Sequence, residues 1–364
     1  MNRMNNCFHR PHKPTAILLT LILIALGMAC IASLPVLAAT PTAPREFHVQ
    51  GEWNLGGLGG WGSLALDASA HRLYIPRTNR VMVVDTATGK LLGEVTDMKN
   101  IRDIALDDSG KYGYVTDVTD GSAGFVRVFD RSDFKLIASV STGAVPYAIV
   151  FDPITRSIFV FNSRGRSVTV IDAATNQVTA TIPLGGRPGS AVTDGKGGVY
   201  VALPALGKIT LIDPTAKKVT ASWGLGPCTG PSGLAIDTAQ RQLFTACEDH
   251  KLVAINADTG HVDTIGDAPA NPGDISFDSE HKMLFVADAS GALTIFHRES
   301  PLNYPKLQTV KTQPGARTLI VNQQDAKAYL VTSKFGQNSA AVSEELKFRP
   351  TPIPGTFSVI IVGR

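Results

Sequence analysis

Arginine is the side chain best placed to do recognition chemistry in this sequence. Arg102, Arg187 and Arg317 stand just before short apolar runs that end in Asp or Asn, and Trp61, Tyr147 and Ser232 stand at the matching places of similar runs. Arg77, Arg80, Arg164 and Arg166, with Glu248, Asp249, His250 and Lys334, follow a second kind of apolar run. A guanidinium fork suits a carboxylate or phosphate. The rings of Trp61 and Tyr147 can stack on a planar ligand or base. Together these residues read as an anion-binding rim. The plainer alternative is a solvated loop rim, its charges balanced by Asp103, Asp117, Asp120, Asp274 and Asp288.

Other chemistries find less support. Glu248 and His250 are spaced as one short acid–x–His triplet, a weak signal for a general acid–base pair. The run Asp117-Val118-Thr119-Asp120-Gly121 offers oxygens to calcium but lacks the twelve-residue loop spacing of an EF-hand. No Cys-x-x-Cys-His is present, so covalent haem has no attachment motif, and no His-x-x-x-His or Cys-x-x-Cys supports zinc. There is no Gly-x-Ser-x-Gly elbow. The glycines from Gly56 to Gly62 do not open a helix, so a phosphate cradle is not indicated. The sequence therefore predicts no cofactor, no metal and no catalytic residue.

The elements that must position these side chains form a repeat. An apolar–aromatic–apolar triplet recurs as Leu73-Tyr74-Ile75, Gly113-Tyr114-Val115, Ile158-Phe159-Val160, Val199-Tyr200-Val201, Leu243-Phe244-Thr245, Leu284-Phe285-Val286 and Ala328-Tyr329-Leu330. Upstream of these stand Asp67, Asp107, Asp152, Asp194, Asp237, Asp278 and Asn322, separated by 40, 45, 42, 43, 41 and 44 residues. Short strands repeating at that period are the mark of β-propeller blades. The fold class is all-β: a seven-bladed β-propeller over residues 46–364, with four antiparallel strands (a to d) per blade.

Each Asp or Asn should bond back to turn amides and set the a–b hairpin, and each strand-b aromatic should pack between sheets. Strand a alternates large residues on one side with small ones such as Ser63, Asp103, Gly233 and Asp274 on the other. Sheets converging on an axis require that pattern. The d–a and b–c connections share one face, which carries the candidate rim. The seventh repeat ends at strand c, so its strand d must come from residues 46–54, pairing with residues 357–362 to close the ring.

Gly113-Tyr114-Val115-Thr116-Asp117 and its six related copies resemble the YVTN-type β-propeller repeat, and the whole resembles YncE-like exported propellers. The resemblance covers about residues 46–364. It implies fold rather than function, because the matched residues pack and turn. Propellers it resembles also serve as lactonase-like hydrolases or as oxidoreductase subunits, which keeps a periplasmic enzyme as the competing reading.

Residues 1–38 differ in kind. Arg3, Arg10 and Lys13 precede an apolar run ending at Val36-Leu37-Ala38, the layout of a secretory signal peptide, with residues 39–45 as linker. A retained membrane anchor is the competing reading. Without the leader's three basic residues, the 34 basic and 31 acidic residues of the chain become 31 against 31. Such neutrality gives no global drive towards nucleic acid or anionic membrane. Export to a periplasmic or extracellular space would leave Cys228 and Cys247 where disulfides persist. The blade map puts both on one face of one blade, either as a bridge or as two buried thiols. The expected partner is an anionic small molecule, a polymer or a protein. Residues 334–355 form the longest connection, either a lid over the axis or a disordered loop.

Overall fold

The structure is a computed structural model that describes residues 46–336 and 351–364. The expected leader (1–38) and linker (39–45) lie outside the described residues. Seven four-stranded antiparallel sheets follow one another along the chain. Blade 1 comprises strands Ala65–Asp67, Arg72–Arg77, Arg80–Asp85 and Leu91–Val95, and blades 2 to 6 repeat this order up to Lys306–Lys311. Blade 7 takes Thr318–Asn322, Lys327–Thr332 and Ser358–Gly363 from the end of the chain and His48–Asn54 from its beginning. The closing pair is antiparallel, with His48 opposite Gly363 and Asn54 opposite Ser358, and its register shifts once between Val49 and Gly51.

β-Branched residues and aromatics fill the inner strands because each is packed on both faces. The aromatics Tyr74, Tyr114, Phe159, Tyr200, Phe244, Phe285 and Tyr329 are all at most 2% exposed. They are packing residues, placed between neighbouring sheets. The tyrosines also tie blades together. The Tyr114 hydroxyl donates to the carbonyl of Ala173 at 3.3 Å and that of Tyr200 to Ala257 at 3.2 Å, each just past strand c of the next blade.

The strand-a carboxylates do set their hairpins. Asp67 accepts from the amide of Ala70, Asp152 from Thr155, Asp237 from Ala239 and Gln240, and the Asn322 amide oxygen from Gln324. Three of them also bind an arginine of the next blade: Asp67 with Arg131, Asp194 with Arg241 and Asp237 with Arg298. Arg131 and Arg298 occupy the same place, directly after strand c, where blade 3 has Ala173. These ties span 64, 47 and 61 residues of sequence.

Cys228 and Cys247 are joined as a disulfide, with Cα atoms 5.4 Å apart and a sequence separation of 19. It pins the connection leading into blade 5 onto that blade's b–c turn. Replacing both cysteines by serine is expected to lower stability by about 3 kcal/mol, read as a fall in the thermal midpoint that a reducing agent reproduces in the parent protein.

Candidate functional site

Strand a of every blade lines the axis, and the residues at its start set the mouth of the channel. Counting back from the terminal Asp or Asn, the fifth position holds Gly62, Arg102, Tyr147, Gly189, Ser232, Gly273 and Arg317. The fourth holds Ser63, Asp103, Ala148, Ser190, Gly233, Asp274 and Thr318. Backbone bonds lock neighbouring blades here: Ser63 N–H donates to the Arg102 carbonyl at 3.0 Å and Asp274 N–H to the Arg317 carbonyl at 2.7 Å. A Cβ on Gly62 would sit on the Arg102 carbonyl, and one on Gly273 on that of Arg317. Glycine at these two places is what lets the strands converge.

Two connected cavities result. The mouth, about 500 Å³, is lined by Trp61, Arg102, Tyr147, Asp274, Arg317, Phe335 and Pro352 together with small residues. Beneath it lies a channel of about 280 Å³ to which all seven blades contribute, lined mostly by polar atoms and holding Asp103 and Asp274. Ser63, Tyr147, Asp274 and Arg317 belong to both. The side chains of Arg102 and Arg317 make no hydrogen bond or ion pair to any described residue, unlike Arg131, Arg241 and Arg298. Tyr147 is 49% exposed. Trp61 is half-buried against Phe357 and Phe335, with ring centroids 5.4 and 6.2 Å away.

Of the sequence-predicted rim residues, the structure thus brings Trp61, Arg102, Tyr147 and Arg317 to one cavity. It does not bring the others. Arg77 is a correction: it is 1% exposed, and its guanidinium donates to the carbonyls of Gly56, Leu58, Gly59 and Gly60 at 2.9–3.2 Å while lying 3.6 Å over the Phe357 ring. Burial lowers its pKa to about 10. Strand b extends through Arg77, which turns the side chain under the glycine loop instead of onto the rim. Arg80 is held by Glu94 at 2.8 Å. Arg187 is exposed but stands seven residues before Asp194 rather than five, so Gly189 takes the mouth position. Arg164 and Arg166 are exposed in the b–c turn of blade 3.

Glu248 and His250 are exposed in the b–c turn of blade 5 and line neither the mouth nor the channel. That turn is held by the disulfide, by Asp249–Lys251 at 2.6 Å and by the Glu248 amide donating to Thr229 O at 2.9 Å. Asp117, the first residue of the weak calcium reading, is fully buried and bound to Arg127 at 2.9 Å and to the amides of Lys99 and Asn100. Among the described residues, no cluster of three or more His, Cys, Asp or Glu side chains is arranged to hold a metal.

Asp103 and Asp274, balancing charges in the sequence, are also residues of the site. Their signal was there: both fall on the small, inward side of strand a. Each is half-buried by surface area yet enclosed by the converging strands. Enclosure pushes the Asp103 carboxyl up to about 7, against the pull of the Ile149 and Ile104 amides and with a further push from Asp274. It pushes Asp274 up to about 6, opposed by the Leu319 amide and by Arg317. The described ends of the long connection pair as Phe335–Gly336 with Thr351–Pro352, and so flank the mouth.

No protein-family model matches the chain. Over 141 residues it is 29% identical to the uncharacterized protein YncE of Salmonella typhimurium and 28% identical to that of Salmonella typhi. Each match covers 36% of this chain and 39% of the relative. Among solved structures, Kuenenia stuttgartiensis hydrazine synthase superposes with TM-score 0.66 at 18% identity, covering 75% of this chain and 92% of that one. The RRP9 WD40 repeats superpose with TM-score 0.70 at 10% identity, covering 87% and 97%. At such identities the structural likeness concerns the fold alone. Repeat and ring together make this chain a seven-bladed β-propeller that is similar to YncE over part of its length.

Proposed function

We propose that the protein is an exported, non-enzymatic propeller that binds an anionic ligand at the mouth of its channel. One observation carries the reading: Arg102 and Arg317 face one cavity with no hydrogen-bonding or ion-pairing partner among the described residues, beside Trp61 and the exposed ring of Tyr147. Guanidinium groups in that setting bind carboxylate or phosphate, and the rings favour a planar ligand. The position of Glu248 and His250 outside both cavities supports binding over acid–base catalysis. The basic head and apolar run of residues 1–38 support export to the periplasm or beyond, as does the disulfide.

The double variant Arg102→Ala/Arg317→Ala is expected to bind aromatic carboxylates at least about tenfold more weakly. Its thermal midpoint should stay unchanged, because neither side chain bonds to the described protein. Arg187→Ala, away from the mouth, is the control and keeps full affinity. A thermal-shift screen followed by titration calorimetry makes the comparison, and equal affinity in the double variant would end the reading.

A further inference from the structure

Arg102 lines only the mouth and Asp103 only the channel, so the balance of charge changes sign from one to the other. Arg102 and Arg317 stand at the top, Asp103 and Asp274 below, and Asp274 and Arg317 line both cavities. Among the described residues neither carboxylate forms an ion pair, although the charge of Arg317 acts on Asp274. Asp103 accepts only from the amides of Ile104 at 2.8 Å and Ile149 at 3.0 Å, and from Ser63. Asp274 accepts from the Leu319 amide at 3.3 Å through one oxygen, and its other oxygen accepts no hydrogen bond from the described residues. The charged and titratable groups facing the two cavities are Arg102, Arg317, Asp103, Asp274 and the Tyr147 phenol.

We propose that the site takes a small zwitterion, with its anionic end on Arg102 and Arg317, its planar body against Trp61 and Tyr147, and an ammonium group reaching down to Asp103 and Asp274. This rests on the anion-binding reading and adds the cationic end. A plain anion would meet the two carboxylates as repulsion. A plain cation would have to pass two guanidinium groups. A dipolar molecule is attracted at both levels.

The raised carboxyls add a pH signature. Both lose their protons as pH rises towards neutrality, so ammonium binding strengthens over that range. It weakens as the pH falls and they become neutral.

The test compares para-aminomethylbenzoate with para-methylbenzoate, which share ring and carboxylate and differ in the amine. At about pH 8 the amine compound is expected to bind about tenfold more tightly by calorimetry. That advantage should vanish at about pH 5 and in Asp103→Asn and Asp274→Asn. The pH series on the parent protein keeps the test intact if a variant fails to fold. Equal affinities at the higher pH, or an advantage that survives both Asn changes, would overturn the zwitterion while leaving the anion reading standing. Binding of para-methylbenzoate that is indifferent to Arg102→Ala/Arg317→Ala, or no binding of either compound, would overturn both.

Discussion

Deleting residues 355–364 is expected to abolish cooperative melting of the entire ring. The segment contains the strand Ser358–Gly363, whose six residues are all buried. That strand pairs on one side with Lys327–Thr332 and on the other with His48–Asn54. The deletion removes Phe357, Val359, Ile360, Ile361 and Val362 from the core. At about 1.5–3 kcal/mol each, their loss is on the order of 10 kcal/mol, comparable with the whole stability of a typical domain. It also takes Phe357 from beneath Arg77 and leaves two strand edges open. Circular dichroism through a thermal ramp reads the result. A midpoint equal to that of the complete chain would refute closure by the first strand.

The second large effect concerns the arginine ties between blades. Asp237 is 1% exposed and binds the amides of Ala239 and Gln240 as well as Arg298. Arg298 in turn lies 5.3 Å over the Phe277 ring, which stacks on Phe244 at 5.1 Å. Asp237→Ala therefore strips a mostly covered cation, its side chain 13% exposed, of its counter-charge and two turn amides of their acceptor. The expected cost is about 3–5 kcal/mol, measured by denaturant unfolding. Changing both partners, Asp237→Ala with Arg298→Met, should cost less than the sum of the two single changes, because no lone charge remains buried. Additive costs would show that the two groups do not act as a pair.

Most of the architecture is legible in the sequence because the residues that make a blade are local. Tyr114 and the Asp107 upstream of it fall within one hairpin, and the period of such hairpins counts the blades. Closure was legible by subtraction, since the last repeat lacks a strand that residues 46–54 can supply. The inter-blade arginines were not legible. Arg131 looks like any turn residue until the ring brings Asp67 to it from 64 positions away. Arg77 shows the opposite failure. Its type and position match a rim arginine, yet strand b runs through it and the carbonyls of a glycine loop draw it inward. Asp103 and Asp274 were visible as inward-facing positions, but only the convergence of seven strands shows that they share one channel with Arg317.

The two-ended seventh blade also sets an order in time. His48–Asn54 is made before every other strand of the ring, and its partner Ser358–Gly363 after all of them. Until synthesis reaches that partner, the opening strand has nothing to lie beside, and the seam stays unzipped. Closure of the ring thus waits for Ser358–Gly363, so a chain made only as far as the sixth blade cannot settle prematurely into its finished shape.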